Sequence, residues 1–282
     1  MAAPPITLDD RPTSTEASRS PVISFDKVSI AFEGRTVLND ISFQLAKGET
    51  KAIFGVAGSG KSTILKLALG LMKPDAGDIR VLGEDVTQMR EEDLFDLRRK
   101  IGMVFQESAL FDSLTVRENV AFRLLEEGDV TEEEVEKPVR ESLSFVELEK
   151  TVDMFPSELS GGMRRRVAIA RAIITHPEIL LYDSPTGGLD PVTSTTIVQL
   201  IVKQRDVYKT SSLLVTHRLQ DAFTMATSYF DRKMNRMQPL RPDMRGEVPM
   251  GFLILKDGKI IFDGDVHELA ASRDEYIREY IS

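Results

Sequence analysis

The 282-residue chain is predicted to fold as an α/β domain on a mixed, largely parallel sheet. Three observations carry this. Short apolar runs at Glu49–Gly55, Ile101–Gln106, Glu178–Asp183 and Ser211–His217 have the length and near-continuous hydrophobicity of buried strands. Helical patterns alternate with them at Lys61–Leu71, at Pro191–Val207 and in a run on to about Thr227. Strand, glycine-rich loop and helix follow without a break from Glu49 to Leu71, which is half of a parallel α/β unit.

The remaining elements follow in order. Residues 1–22 are rich in Pro, Ser, Thr and Ala, lack the apolar stretch of a secretory signal, and are expected to be a disordered tail before one domain over 23–282. Ile23–Phe32 and Thr36–Leu45 alternate apolar and polar residues and are expected to build an N-terminal antiparallel β subdomain. Asp78–Gly83 reads as a further strand and Glu91–Lys100 as a charged helix. From Thr115 to Ala172 the pattern is mainly helical, and an α-helical subdomain is expected over about 107–172. Within it, Glu126–Glu149 holds ten acidic residues against Lys137 and Arg140, the pattern of a solvated helical face. Gly251–Leu255 and Lys259–Phe262 are expected to pair around the turn Asp257-Gly258. Before them, residues 229–249 carry Pro239, Pro242 and Gly246 and read as an irregular insertion. Its five basic residues, with Met234, Met237 and Met244, suit either a solvated loop or contact with a partner or anionic headgroups.

Composition narrows the function. With no cysteine, a disulfide framework and a cysteine-ligated metal are excluded. A net charge of -9 argues against nucleic acid as the partner. No stretch approaches the roughly 18 apolar residues that cross a bilayer, so a membrane role has to come through a partner.

Gly55-Val56-Ala57-Gly58-Ser59-Gly60-Lys61-Ser62-Thr63 matches the phosphate-binding pattern G-x-x-x-x-G-K-[ST], with a strand before it and a helix after it. Glycines let the backbone curl until its N–H groups converge on a phosphate, and the helix N-terminus adds positive potential. Lys61 is expected to reach the β- and γ-phosphates of ATP, and the Ser62 hydroxyl to ligate Mg2+. Asp183, closing the apolar run Ile179-Leu180-Leu181-Tyr182, is the expected carboxylate on the other side of the metal. Together they predict a P-loop NTPase core of the RecA-like kind.

Many NTPases share those two elements. Beyond them the chain resembles the ATP-binding-cassette family over about residues 23–270. Leu159-Ser160-Gly161-Gly162-Met163 is similar to the family's signature motif, with Met163 in place of the usual Gln. The resemblance implies that Ser160, Gly161 and Gly162 contact the γ-phosphate held by a second copy, so that a homodimer sandwiches two ATP molecules. Gln106 resembles the glutamine that touches Mg2+ and the attacking water. Gly187-Gly188-Leu189-Asp190 resembles the loop that communicates across the dimer, and His217 the histidine that bonds the γ-phosphate. Phe32 stands where the family places an adenine-stacking aromatic, with a core phenylalanine as the alternative. His176 and His267 match nothing in the family and read as surface residues. Where the family has Glu after the Asp of the strand, this chain has Ser184. A serine carries no charge and is a poor general base at neutral pH, so slow hydrolysis is expected, with Ser184 orienting water.

The resemblance implies the nucleotide-binding subunit of a transporter, peripheral on the cytoplasmic face of the inner membrane. The cassettes of DNA repair or translation usually carry two cassettes, zinc-binding cysteines or long coiled coils, and this chain has none. An ATP-gated regulatory module with little turnover is the other alternative, motivated by Ser184. LSGGM and Gln106–Phe122, with the apolar Leu110 and Phe111 where a permease docks, look like ATPases of lipid transport. Those serve MlaE-type integral-membrane permeases and MCE-domain substrate-binding partners. ATPases of small-solute importers share most of the pattern and are the alternative.

Overall fold

The computed structural model describes residues 20–126, 130–241 and 248–281. Residues 1–19 of the tail expected over 1–22, and Pro242, Met244 and Gly246, lie outside the described residues. In chain order the elements are β1 (Pro21–Phe32), β2 (Arg35–Ala46), β3 (Thr50–Gly55), α1 (Lys61–Ala68), β4 (Ala76–Val81), β5 (Glu84–Asp85), α2 (Glu91–Arg99) and β6 (Ile101–Val104). Three helices follow, α3 (Val116–Glu126), α4 (Glu132–Phe145) and α5 (Gly161–Ile173), with short 3-10 turns between the last two. Then come β7 (Ile179–Asp183), α6 (Pro191–Tyr208), β8 (Ser211–Val215), α7 (Leu219–Ala226), β9 (Ser228–Asp231), β10 (Arg236–Pro239), β11 (Met250–Lys256), β12 (Lys259–Gly264), α8 (Val266–Ala270) and α9 (Glu275–Ile281).

The main sheet has six strands in the order β12-β11-β3-β8-β7-β6, parallel except for the β11–β12 hairpin. Its five parallel strands are almost wholly buried, which explains their unbroken hydrophobic runs, while the edge strand β12 is exposed or half-buried throughout. In β7, Leu180 and Tyr182 enter one core with α3, α4, α5 and α6, while Ile179 and Leu181 enter the other. That second core is shared with α1 and with an antiparallel sheet in the order β2-β1-β4-β5. The α/β expectation with an antiparallel N-terminal sheet is therefore met. One boundary moves. β1 already includes Pro21, paired with Ala46, and the buried Val22, so ordered chain begins before residue 23.

The irregular insertion is corrected in part. Arg236 pairs with Asp231 and Pro239 with Ser228, so β9 and β10 form a small antiparallel hairpin. Its turn is set by Asp231, whose carboxylate accepts the N–H groups of Lys233 and Met234 at 2.8 and 3.1 Å. A turn made by an Asp side chain leaves no Gly or Pro mark between the two strands, so the sequence does not announce the hairpin. Arg205 fastens the hairpin to α6: it is 3 % exposed and donates to Ser228 O at 2.8 Å, while Asp206 accepts from Phe230 N. Met237 packs against the core, whereas Met234 is exposed.

Candidate functional site

The ends of the parallel strands gather most of the residues singled out above. Along the strand order, the loop after β3 carries Gly55 to Gly60, β8 leads to His217, β7 ends at Asp183 and Ser184, and β6 leads to Gln106. An open parallel sheet forms its ligand crevice at this carboxyl edge.

The glycine loop is tight on one side and open on the other. Gly60 caps α1 at φ 96 and Gly58 lies at φ 77, both left-handed and strained for any other residue. A Cβ on Gly60 would stand 2.7 Å from Leu38 Cδ2 and 3.2 Å from Val37 O, whereas a Cβ on Gly58 would meet nothing within 4 Å. The helix beyond has no side-chain cap and no acidic residue in its first turn, where Lys61, Ser62 and Thr63 sit half-buried. Its positive end is therefore uncompensated, as an anion site requires. Lys61 Nζ donates to Gly55 O and Val56 O at 2.8 Å each and to Ser59 Oγ at 3.4 Å. Burial pulls this ammonium below its ordinary pKa, opposed by the Asp183 carboxylate.

Ser62 Oγ donates to Asp183 Oδ1 at 3.2 Å across the crevice. One hydroxyl and one carboxylate suit Mg2+, which takes few protein ligands and completes its shell with phosphate oxygens and water. No group of three or more His, Cys, Asp or Glu among the described residues could hold a metal on its own. The donor set thus fits a metal that arrives with a nucleotide.

Ser184 is buried in the left-handed region at φ 48, with its N–H bonded to Val215 O at 2.9 Å. A non-glycine residue held there costs on the order of 1–3 kcal/mol, and such strain gathers at functional sites. A Cβ on Gly187 would meet Ser184 Cβ at 3.4 Å and Gln106 Cγ at 3.8 Å, so both side chains border one small space. Gln106 and His217 are exposed to the crevice edge, and Thr216 beside His217 is buried and bonded to Ile53 O.

The signature residues start a different helix. Ser160 caps α5 and accepts Met163 N at 3.2 Å, and Gly161 and Gly162 pack against Leu189 and Thr193. Asp190 caps α6, accepting the N–H groups of Val192 and Thr193 at 3.0 Å, and the Thr193 hydroxyl holds its carboxyl below the ordinary range. Within one chain its carboxylate is thus already engaged. Phe32 closes β1, 38 % exposed and outside both cores, in the hairpin whose Val37 and Leu38 pack on Gly60. His176 and His267 are exposed, as expected. Leu110 packs on the core while Phe111 is exposed beside Phe122.

Sequence reasoning missed Arg165. It is 4 % exposed and donates to Phe105 O at 3.0 Å, Ser184 O at 3.3 Å and Gly187 O at 3.4 Å. The signal was there: Arg165, Ile169 and Ala172 share the buried stripe of α5, so this arginine stands where an apolar residue is due.

A family model described as ABC transporter matches residues 38–187. Protein TRIGALACTOSYLDIACYLGLYCEROL 3, chloroplastic, of Arabidopsis thaliana is 36 % identical over 270 residues, covering 89 % of this chain and 70 % of that protein. Methionine import ATP-binding protein MetN 1 of Bacillus thuringiensis subsp. konkukian is 41 % identical over 202 residues, 70 % of this chain, and the chain spans 59 % of that protein's length. Among solved structures, a dimeric ATP-binding cassette in a post-hydrolysis state bound to ADP and Pi aligns with TM-score 0.72 at 30 % identity, over 86 % of this chain and 98 % of that one. A cassette of the Clostridium perfringens cbiONQ transporter complex aligns with TM-score 0.75 at 26 % identity, over 92 % and 94 % of the two chains. The family match alone spans more than half of the sequence, so the chain belongs to the ABC transporter family, whose cassettes bind ATP with Mg2+ and hydrolyse it.

Proposed function

We propose that the chain is the ATPase subunit of an importer, working as a homodimer on an integral-membrane permease at the cytoplasmic face of the inner membrane. The observation that carries the ATPase reading is the alignment of Gly55–Ser62, His217, Asp183–Ser184 and Gln106 along adjacent strand ends, with Ser62 and Asp183 facing each other at 3.2 Å. Bound there, Mg2+ would neutralise charge developing on the phosphates. The open side of the loop at Gly58, with the N–H groups of Ser59 to Thr63, takes the β-phosphate. Lys61 leaves its two carbonyl partners to pair with the β- and γ-oxygens. Phe32 stacks on adenine, His217 bonds the γ-phosphate, and Gln106 with Ser184 orients the water. The water oxygen bonds to the γ-phosphorus as the bond to the β–γ bridging oxygen breaks, and the water proton passes to the departing phosphate. Ser184 takes no proton in this scheme, and turnover is correspondingly slow. The second copy brings Ser160–Gly162 and the loop ending at Asp190 against the first copy's γ-phosphate, so closure needs ATP at the interface.

Relatives named as methionine import proteins support a small solute as cargo. A lipid cargo with MlaE-type and MCE partners is a second reading, favoured by one relative that bears the name of a galactolipid and aligns over 270 residues. ATPase activity of the chain with its co-purified permease in proteoliposomes tests both, with Lys61→Ala as blank. Turnover stimulated by free amino acids supports the importer, and stimulation by galactolipid or phospholipid supports the second reading. ATP binding without turnover in any condition would sink the motor and leave a nucleotide-gated switch.

A further inference from the structure

Three segments that must act together in the crevice meet on one buried side chain. Arg165 lies in the second turn of α5, the helix that Ser160 opens. Its guanidinium donates to the carbonyls of Phe105, just before Gln106, of Ser184 itself, and of Gly187 in the loop that runs to Asp190. No carboxylate among the described residues forms an ion pair with it, and Glu107 acts on it only at longer range. Burial lowers its pKa accordingly. Its Nε is buried without any hydrogen-bond partner. A buried cation held only by carbonyls is costly, and an apolar side chain of similar size is often as stable in such a place. The far end of the same loop is held by a second arginine: Arg218, next to His217, reaches Leu189 O at 3.4 Å and Ser194 Oγ at 2.7 Å, and Thr186 Oγ1 donates to Asp221 at 2.6 Å.

We propose that Arg165 is a positioning residue for hydrolysis: one guanidinium sets Gln106 and Ser184 relative to each other and ties both to the helix start that faces the partner's nucleotide. The inference rests on the reading of the chain as an ATPase. It bears most on a chain with serine at position 184, where water has to be placed by geometry because no carboxylate attracts it. Misplacement by about an ångström costs roughly 100-fold in such a reaction. Nucleotide affinity rests on the loop at Gly55–Lys61, which Arg165 does not touch in any contact described.

The test compares Arg165→Met, Arg165→Lys and Arg166→Met in the full chain with its permease. Arg166 also donates to carbonyls, those of Val146 and Glu147, but away from the crevice. Arg165→Met is expected to lower kcat roughly 10- to 100-fold with KM for ATP changed by less than about 3-fold. Arg165→Lys, which keeps the charge and loses the fork, should fall between, and Arg166→Met should match wild type. An unchanged kcat in Arg165→Met overturns the proposal. So does a loss of nucleotide affinity and thermal stability in proportion to kcat in both Arg165 variants, which would mark a purely structural role. Amide hydrogen exchange of the nucleotide-free chain is read alongside. Faster exchange confined to 105–107 and 184–189 supports the proposal, and no local change in Arg165→Lys overturns it even if Arg165→Met fails to fold. If wild type binds ATP but never turns it over, the ATPase reading fails, and the exchange result alone decides the positioning role.

Discussion

Two glycines two residues apart in the phosphate loop should separate binding from folding. An alanine at Gly58 takes on the left-handed φ of 77 but meets nothing within 4 Å. Its cost is the backbone strain alone, about 1–2 kcal/mol, reduced by the smaller entropy of the unfolded chain, about 0.4–1 kcal/mol. A net loss of about 1 kcal/mol is expected. At Gly60 the same strain is joined by a Cβ 2.7 Å from Leu38 Cδ2 and 3.2 Å from Val37 O. Leu38 is fully buried and the carbonyl belongs to a paired strand, so neither can move away freely. Overpacking of this kind adds about 1–3 kcal/mol, for a total loss of about 2–4 kcal/mol. Nucleotide binding should run the other way round in its cause. The Gly58 methyl occupies the space a phosphate needs, so Gly58→Ala should lose at least roughly 100-fold in Mg-ATP affinity, about 2.7 kcal/mol, while remaining nearly as stable as wild type. Urea denaturation gives the first quantity and isothermal titration with Mg-ATP the second. Wild-type affinity in Gly58→Ala would show that the open side of the loop is not the phosphate cradle. Equal destabilisation by both alanines would show that the Gly60 contacts do not resist the added methyl.

Three further outcomes follow from the same geometry. Asp183→Asn keeps the Ser62 contact but removes the charge facing the metal, so the Mg2+ concentration needed for half-maximal ATPase activity should rise at least roughly 10-fold, as a metal titration would show. Ser184→Glu should raise kcat by roughly 10-fold or more, because general-base assistance contributes about 100-fold or more where it is available; an unchanged rate would mean that position 184 is not limiting. Lys61 titrates below its ordinary value in the nucleotide-free chain because it is buried, Asp183 only partly opposing this. Folding therefore penalises its charged form, and that penalty is relieved as pH rises through the lowered folded value towards the unfolded one. ATP needs the charged form, so affinity should fall with pH across this same alkaline window, with proton uptake on binding. Lys61→Met should remove that limb, measured by calorimetry in buffers of differing ionisation enthalpy.

Much of this site is legible in the sequence because each part is a local pattern. A phosphate loop needs its glycines and lysine in a fixed spacing between a strand and a helix, and Gly55–Ser62 shows all of it without tertiary information. Asp183 is legible as the polar end of an apolar strand, and Ser160 as a cap before a helix. The β9–β10 hairpin is not, because an Asp231 side chain does the work that Gly or Pro would announce. Asp190 is legible as a loop residue but not as a helix cap, since both duties fall to the same side chain and one pattern hides the other.

Arg165 shows the deeper reason why contact between distant segments escapes a linear reading. Three consecutive arginines look alike in sequence, yet Arg164 bonds to carbonyls beside its own helix start, Arg166 to the end of α4, and Arg165 to carbonyls of segments distant in sequence, at 105, 184 and 187. What separates them is only their angular position on α5, about 100° per residue. One step round the helix moves a guanidinium from the surface to the crevice. With the roles proposed above, Ser160–Gly162 and the pair Gln106 and Ser184 would not act as two independent sites: α5 carries the first at its start, and Arg165 in its second turn bonds to the carbonyls of Phe105 and Ser184.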